Sequence, residues 1–223
     1  MARFDRLAVL NTMIEAGLVP VFFEPDVDMA FRILAACEAG GARVIEFTNR
    51  GDYAANTFMQ LSRLCARDLP HVILGVGTVL DAPTAALYIA NGAHFVVGPS
   101  LVADVARLCN RRKIAYLPGC ATLTEIGQAE ELGVEIVKIF PGSTVGGPGF
   151  VKAVLAPAPW TRIMPTGGVE ASEESIRAWF GAGVACVGMG SDLIRKDLVA
   201  AGDFGGISHR IAQTLEWIRE ARR

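Results

Sequence analysis

Asp28 to Thr48, DMAFRILAACEAGGARVIEFT, carries two different periods in one stretch. Met29, Ile33, Leu34 and Cys37 recur at helical spacing over Asp28–Ala39. Gly40 and Gly41 then stop the helix. Arg43–Thr48 follows as a short apolar run bounded by turn residues, the mark of a buried strand. A helix that passes through a tight glycine turn into such a strand is one unit of an α/β fold.

The unit repeats along the chain. Apolar runs lie at Val19–Phe23, Arg43–Thr48, Val72–Gly77, His94–Val97, Ile114–Leu117, Glu135–Phe140, Arg162–Pro165 and Ala185–Gly188. They recur about every 20–30 residues, the repeat expected when roughly 250 residues are shared among eight βα units. Helical patterns separate them: Asn56–Leu69, for example, carries Phe58, Leu61, Leu64 and Cys65 on one face. Asp81 and Ser172 stand as N-caps, and Asn91-Gly92, Gly133 and Gly181–Gly183 mark helix ends. A further helix, Asp5 to Ala16, precedes the first strand. Strict alternation predicts a parallel sheet, and eight units favour closing it into a (β/α)8 TIM barrel, one domain over residues 1–223 with an extra N-terminal helix. A doubly wound open sheet is the alternative. Its dinucleotide fingerprint is incomplete here, because Gly75-Val76-Gly77-Thr78-Val79-Leu80 lacks the third glycine, and there is no P-loop.

Composition narrows the function classes. Hydrophobic residues make up 52% of the 223, which suits strands buried on both faces. No apolar run approaches a membrane span, and the opening Met1-Ala2-Arg3-Phe4-Asp5-Arg6 leads into no uninterrupted apolar core, so neither membrane insertion nor a signal peptide is expected. The formal net charge is −2 and Arg111-Arg112-Lys113 reads as a solvated helix end, so no nucleic-acid partner is expected. Five scattered cysteines form no C-x-x-C pair, and only three histidines are present. A cytoplasmic setting is expected, with no disulfide framework and no metal.

Two charged residues sit where apolar ones belong. Along Val44–Thr48, side-chain alternation puts Val44, Glu46 and Thr48 on one face and Ile45 and Phe47 on the other. The helix-facing side of a barrel strand must be apolar, so Glu46 points inward. By the same parity Ile136, Lys138 and Phe140 share a face, and Lys138 also points inward. Inward ionisable groups near strand C-termini mark a barrel's active end. A desolvated lysine keeps a depressed pKa, and its neutral amine can attack a carbonyl. The resulting iminium is an electron sink for carbon–carbon cleavage, with Glu46 shuttling protons. The competing reading is a buried Glu46–Lys138 ion pair without chemistry, which stabilises poorly once desolvation is counted.

Arg50, just past the strand that carries Glu46, is placed to clamp a carboxylate; a surface pair with Asp52 is the plainer role. Pro165-Thr166-Gly167-Gly168 and Gly188-Met189-Gly190-Ser191 end the last two strands. Glycines there let backbone N–H groups approach an anion, although ordinary turn chemistry would look the same. Gly142–Gly149 reads as a lid or a plain tight loop. Cys120 reads as packing, and His71 and His94 lie at strand beginnings, the wrong end for a base.

Taken in order, these motifs resemble the 2-keto-3-deoxy-6-phosphogluconate (KDPG) and 4-hydroxy-2-oxoglutarate aldolase family. The landmarks are Val19-Pro20-Val21, Gly40 through Arg50, Gly75-Val76-Gly77-Thr78-Val79, Pro118-Gly119 with Thr122 to Glu125, Val137 to Pro141, Pro165 to Gly168, and Gly190-Ser191. The likeness spans about Leu18 to Gly202. It implies a (β/α)8 barrel, usually a homotrimer, with class I chemistry that needs no cofactor and no metal. It implies Lys138 as the Schiff-base lysine and Glu46 as the general acid and base. Arg50 and Thr78 would hold the pyruvyl carboxylate of a 2-keto acid, with Pro99 beside that pocket. Phe140 would pack on the substrate, and Thr166, Gly167, Gly168 and Ser191 would line its distal, phosphorylated end. The loop after the fourth run departs from the family, reading Gly98-Pro99-Ser100 where Ser-Pro-Gly is common, and Phe23-Glu24-Pro25-Asp26 is unusually acidic. The activity implied is cleavage of KDPG to pyruvate and glyceraldehyde 3-phosphate, with 4-hydroxy-2-oxoglutarate or the galactonate epimer as close variants. A sugar-phosphate isomerase on the same barrel would keep the glycine clusters without needing Lys138. A non-catalytic sugar-acid binder would have no use for either Lys138 or Glu46.

Overall fold

Helices between successive strands leave parallel pairing as the available geometry, and every strand pairing among the described residues is parallel. The computed structural model describes residues 3–223. Of the opening stretch read for a signal peptide, Met1 and Ala2 lie outside the described residues. Helix α1 (Arg6–Ala16) leads into β1 (Leu18–Phe22), α2 (Val27–Ala39), β2 (Val44–Thr48), α3 (Ala54–Asp68), β3 (Ile73–Gly77), α4 (Ala82–Ala90), β4 (Phe95–Val97) and α5 (Ala103–Arg112). The chain continues through β5 (Ala115–Leu117), β6 (Gly119–Cys120), α6 (Leu123–Glu131), β7 (Val137–Ile139), α7 (Gly147–Leu155), β8 (Ile163–Pro165), α8 (Glu173–Phe180), β9 (Val187–Met189), α9 (Lys196–Ala201) and α10 (Phe204–Ala221).

The sheet is curled and lies in two hydrogen-bonded segments, β5-β4-β3-β2-β1-β9 and β6-β7-β8. At one seam the expected run Ile114–Leu117 continues past Pro118 as β6, so nine strands arise from eight runs. Proline has no N–H for a ladder, and the pairing changes there: Gly98 N donates to Leu117 O (3.1 Å), and Lys138 N donates to Pro118 O (3.0 Å). At the other seam Thr166 and Gly188 form a parallel bridge, and Ala185 N donates to Ile163 O at 2.9 Å.

Alternation divides the apolar residues into two bodies. Outward-facing Ile45, Phe47, Leu74, Val76, Val96, Val137 and Ile139 pack under the helices. Inward-facing Val19, Val44, Ile73, Phe95, Val97, Leu117, Ile136 and Met164 pack on one another. Helix α1 joins this inner body through Val9, Leu10 and Met13 and covers its N-terminal end. Full burial of each such side chain contributes about 1.5–3 kcal/mol. Helix α10 returns to the start of the fold, where the Arg222 guanidinium donates to Ile14 O, Glu15 O and Ala185 O (2.7–2.9 Å).

The caps follow local chemistry. Asp81 accepts from Thr84 N at 2.7 Å, Ser172 accepts from Ser175 N at 3.3 Å, and Thr122 with Glu125 forms a capping box. The glycine-rich stretch read as a lid or loop divides instead: residues 141–146 turn, and Gly147 opens α7 with Pro148 in its first turn, where the missing N–H costs no helical bond.

Candidate active site

Strand parity brings the two charged residues to the inner face. Glu46 on β2 is 1% exposed and Lys138 on β7 is 5% exposed. Burial pushes the Glu46 carboxyl above the ordinary carboxylate range, while the positive charges of Lys138 and then Arg50 pull it back. Burial pushes the Lys138 amine below the ordinary lysine range, opposed by Glu46 and reinforced by Arg50. The two groups therefore feel each other electrostatically, yet no ion pair within 4.0 Å joins them among the described residues. That disfavours a simple buried salt bridge. Lys138 Nζ lies 4.8 Å from the centroid of the Phe140 ring, so the aromatic face supports any cationic form of the nitrogen.

Two buried side-chain oxygens among the described residues have no hydrogen-bond partner, Glu46 Oε2 and Thr166 Oγ1. An unpaired buried polar atom is costly, which makes such atoms natural contacts for a ligand. Each of the two side chains also faces a strand glycine. A Cβ on Gly77 would stand 1.7 Å from Glu46 Oε1, and a Cβ on Gly188 would stand 2.4 Å from Thr166 Oγ1.

A cavity of about 860 Å³ opens at the C-terminal ends of the strands. Arg50, Phe140, Thr166, Gly167, Gly168 and Ser191 all line it. Gly167 and Gly168 both have positive φ (85° and 76°), a backbone path that glycine follows without strain. Lys138 and Glu46 are not among its lining residues, but Phe140, which is, has its ring against the Lys138 amine. Thr78 and Pro99 are not on the wall. Thr78 directly follows Gly77 and is held at φ 63°, a left-handed conformation that a β-branched residue adopts only under constraint. The Pro99 carbonyl presses on β6, where a Cβ at Gly119 would meet its oxygen at 2.1 Å. The cavity also shows Glu24, Glu170, Asp192 and Lys196, which the sequence reading did not place in the site. Their signal was positional, since each lies a few residues past a strand's C-terminal end. Asp192 accepts from Ala171 N, and its own carbonyl accepts from Arg210.

The remaining candidates stand apart. The Cys120 thiol is buried and pushed up to about 12, so it carries no thiolate at neutral pH. His94 is bound to Leu74 O at 3.0 Å and packs on Phe4, next to the end covered by α1. Among the described residues no cluster of three or more His, Cys, Asp or Glu is placed to hold a metal, and no helix is long and apolar enough to cross a membrane.

The family model described as KDPG and KHG aldolase matches residues 9–210. The chain belongs to the KDPG and KHG aldolase family. Among its relatives in the family, the 2-dehydro-3-deoxy-phosphogluconate aldolase of Pseudomonas aeruginosa is 34% identical over 213 residues, covering 94% of this chain and 92% of its own. The KHG/KDPG aldolase of Escherichia coli K12 is 30% identical over 200 residues, covering 89% and 91%. In three dimensions the chain is similar to the KDPG aldolase of Legionella pneumophila, with a TM-score of 0.83, 25% identity and coverage of 94% and 98%. That structure holds pyruvate captured at low pH as a covalent carbinolamine intermediate.

Proposed function

We propose that Lys138 forms a Schiff base with KDPG and releases pyruvate and glyceraldehyde 3-phosphate, with 4-hydroxy-2-oxoglutarate as a second substrate. The observation that carries this is a buried amine held below its usual pKa, within the field of a buried carboxyl that has no partner of its own. The neutral amine adds to the C2 carbonyl, and a proton supplied through Glu46 lets the carbinolamine lose water. The iminium then draws the C3–C4 bonding electrons into an enamine as the C4 hydroxyl gives up its proton and the aldehyde departs. Protonation at C3 and hydrolysis return pyruvate and the free amine.

Arg50 and Thr78 take the substrate carboxylate in this reading, with Pro99 beside them, and Phe140 packs on the carbon chain. Thr166, Gly167, Gly168 and Ser191 take the distal phosphate. The sheet closes as a (β/α)8 barrel through the bonds at its two seams, α1 being the extra helix, and the chain works in the cytoplasm as a single-domain subunit of a homotrimer. Support comes from the family membership, from six of the expected contact residues sharing one cavity, and from the relatives' names.

Treating the protein with pyruvate and borohydride, then mapping peptides by mass, tests the reading. A reduced adduct on Lys138 supports it, and no adduct would return the chain to an isomerase role. Comparing kcat/KM on KDPG, its galactonate epimer and 4-hydroxy-2-oxoglutarate ranks the substrates. Thr78→Gly separates conformation from contact. The left-handed backbone costs a branched residue about 1–2 kcal/mol, and glycine's extra chain entropy cancels part of the relief. The variant is expected to melt slightly higher, at about 2–4 °C per kcal/mol, while KM rises from loss of the hydroxyl. An unchanged KM would remove Thr78 from the carboxylate end.

A further inference from the structure

Gly77 ends β3, opposite Thr48 in the register with β2. Nothing in its backbone calls for glycine, since its φ is not among the positive ones, and a glycine inside a strand weakens it. The atoms nearest its missing side chain all belong to one residue. A Cβ built there would meet three atoms of a single residue, Glu46: Oε1 at 1.7 Å, the carboxyl carbon at 2.5 Å and Cγ at 3.0 Å. Glu46 pairs with Gly75 across the strands. Its side chain therefore leans along β3 to the next inward position, residue 77. Gly75 answers to a different neighbour, because a Cβ there would strike the Phe95 ring at 2.4 Å. No protein donor reaches Glu46 Oε2. The carboxyl is therefore located less by hydrogen bonds than by the space that residue 77 leaves open.

We propose that Gly77 is a positioning residue for catalysis: its absent Cβ is the socket that seats the Glu46 carboxyl for proton transfer at Lys138. The inference rests on the acid–base role given to Glu46 above. Alanine suits the strand backbone at 77, so the fold accepts Gly77→Ala while the carboxyl must swing away. Alanine at 46 carries no carboxyl to seat, and that makes the coupling measurable.

The experiment is a double-mutant cycle of Gly77→Ala and Glu46→Ala, read as kcat, KM, pH–rate profile and pyruvate–borohydride labelling of Lys138. In the native background Gly77→Ala is expected to lower kcat about 10²-fold, the scale of a lost general acid or base. KM should change little, labelling should persist, and the Glu46 limb of the pH profile should move. In the Glu46→Ala background the same substitution should cost less than about 3-fold, well outside the additivity of independent sites. Equal losses in both backgrounds, or native kcat and pH profile in Gly77→Ala, overturn the proposal. If Gly77→Ala does not fold, recovery of folding in the double variant supports the socket, and failure of both overturns it. Native kcat in Glu46→Ala alone would overturn the acid–base role itself, and the socket with it.

Discussion

Lys138→Ala yields a protein that neither turns over nor takes up label from pyruvate and borohydride. The expected fall in kcat is on the order of 10⁶, the scale at which covalent catalysis disappears with its nucleophile. Truncation empties part of a buried site, so Lys138→Met is the companion variant: it keeps most of the stem's volume and removes only the amine. Both variants should be equally inactive. The Met variant should also lose the stability penalty that a desolvated amine carries. The Lys138 pKa is lowered in the fold, so the native lysine favours folding at pH values above its ordinary pKa, and that advantage is lost as pH falls through the lowered value. The Met variant is accordingly expected to melt higher than the native chain at neutral pH, with the difference shrinking in alkali. Turnover within about 10-fold of native in either variant would take the amine out of the reaction, since losing a covalent nucleophile costs far more than that.

Glu46→Gln is expected to cost about 10²–10⁴-fold in kcat, with substrate affinity largely kept. Lys138 remains, so labelling continues at a reduced rate. The same variant makes a stability prediction of opposite sign to the activity loss. The folded-state pKa of Glu46 is raised, chiefly by burial. The native carboxyl is therefore no burden at low pH, where it is protonated in both states, and becomes one as pH rises through the folded value. Glutamine has no charge to desolvate. Thermal melts should show the variant ahead at neutral pH and the gap closing on acidification. A variant less stable than the native chain at every pH would mean that the carboxyl holds the fold together, as an ion pair would. An unchanged kcat would remove Glu46 from proton transfer.

Parity made these residues legible in the sequence. A glutamate flanked by Ile45 and Phe47, and a lysine flanked by Val137 and Ile139, can point only one way once the flanking residues are committed to the helix layer. The alternation of runs was equally readable, as were the Asp81 and Ser172 caps, because they depend on neighbours within a few residues. What could not be read depends on contacts across the chain. The break at Pro118 marks where pairing passes from β4 to β7. The glycine-rich stretch after β7 hid the start of α7, since glycine favours loops and Pro148 supplies a helix start only in context. Glu24, Glu170, Asp192 and Lys196 share a wall although they come from three separate loops and the start of α9. The socket at Gly77 was invisible for the same reason. A sequence shows a glycine but not the distant carboxyl that requires it.

Helix α1 lies across the N-terminal end of the inner apolar body, with Val9 and Met13 fully buried there. The lysine thus sits in a well closed at one end by α1. Whatever reaches it arrives by the same opening through which everything departs. In the proposed cleavage the three-carbon keto half stays tethered at the bottom while the aldehyde half lies nearer the opening, so the aldehyde exits first and pyruvate follows after water has come in behind it. Run backwards, the sequence reverses, and aldehyde entering an empty site ahead of pyruvate would obstruct the passage and register as substrate inhibition in the synthetic direction.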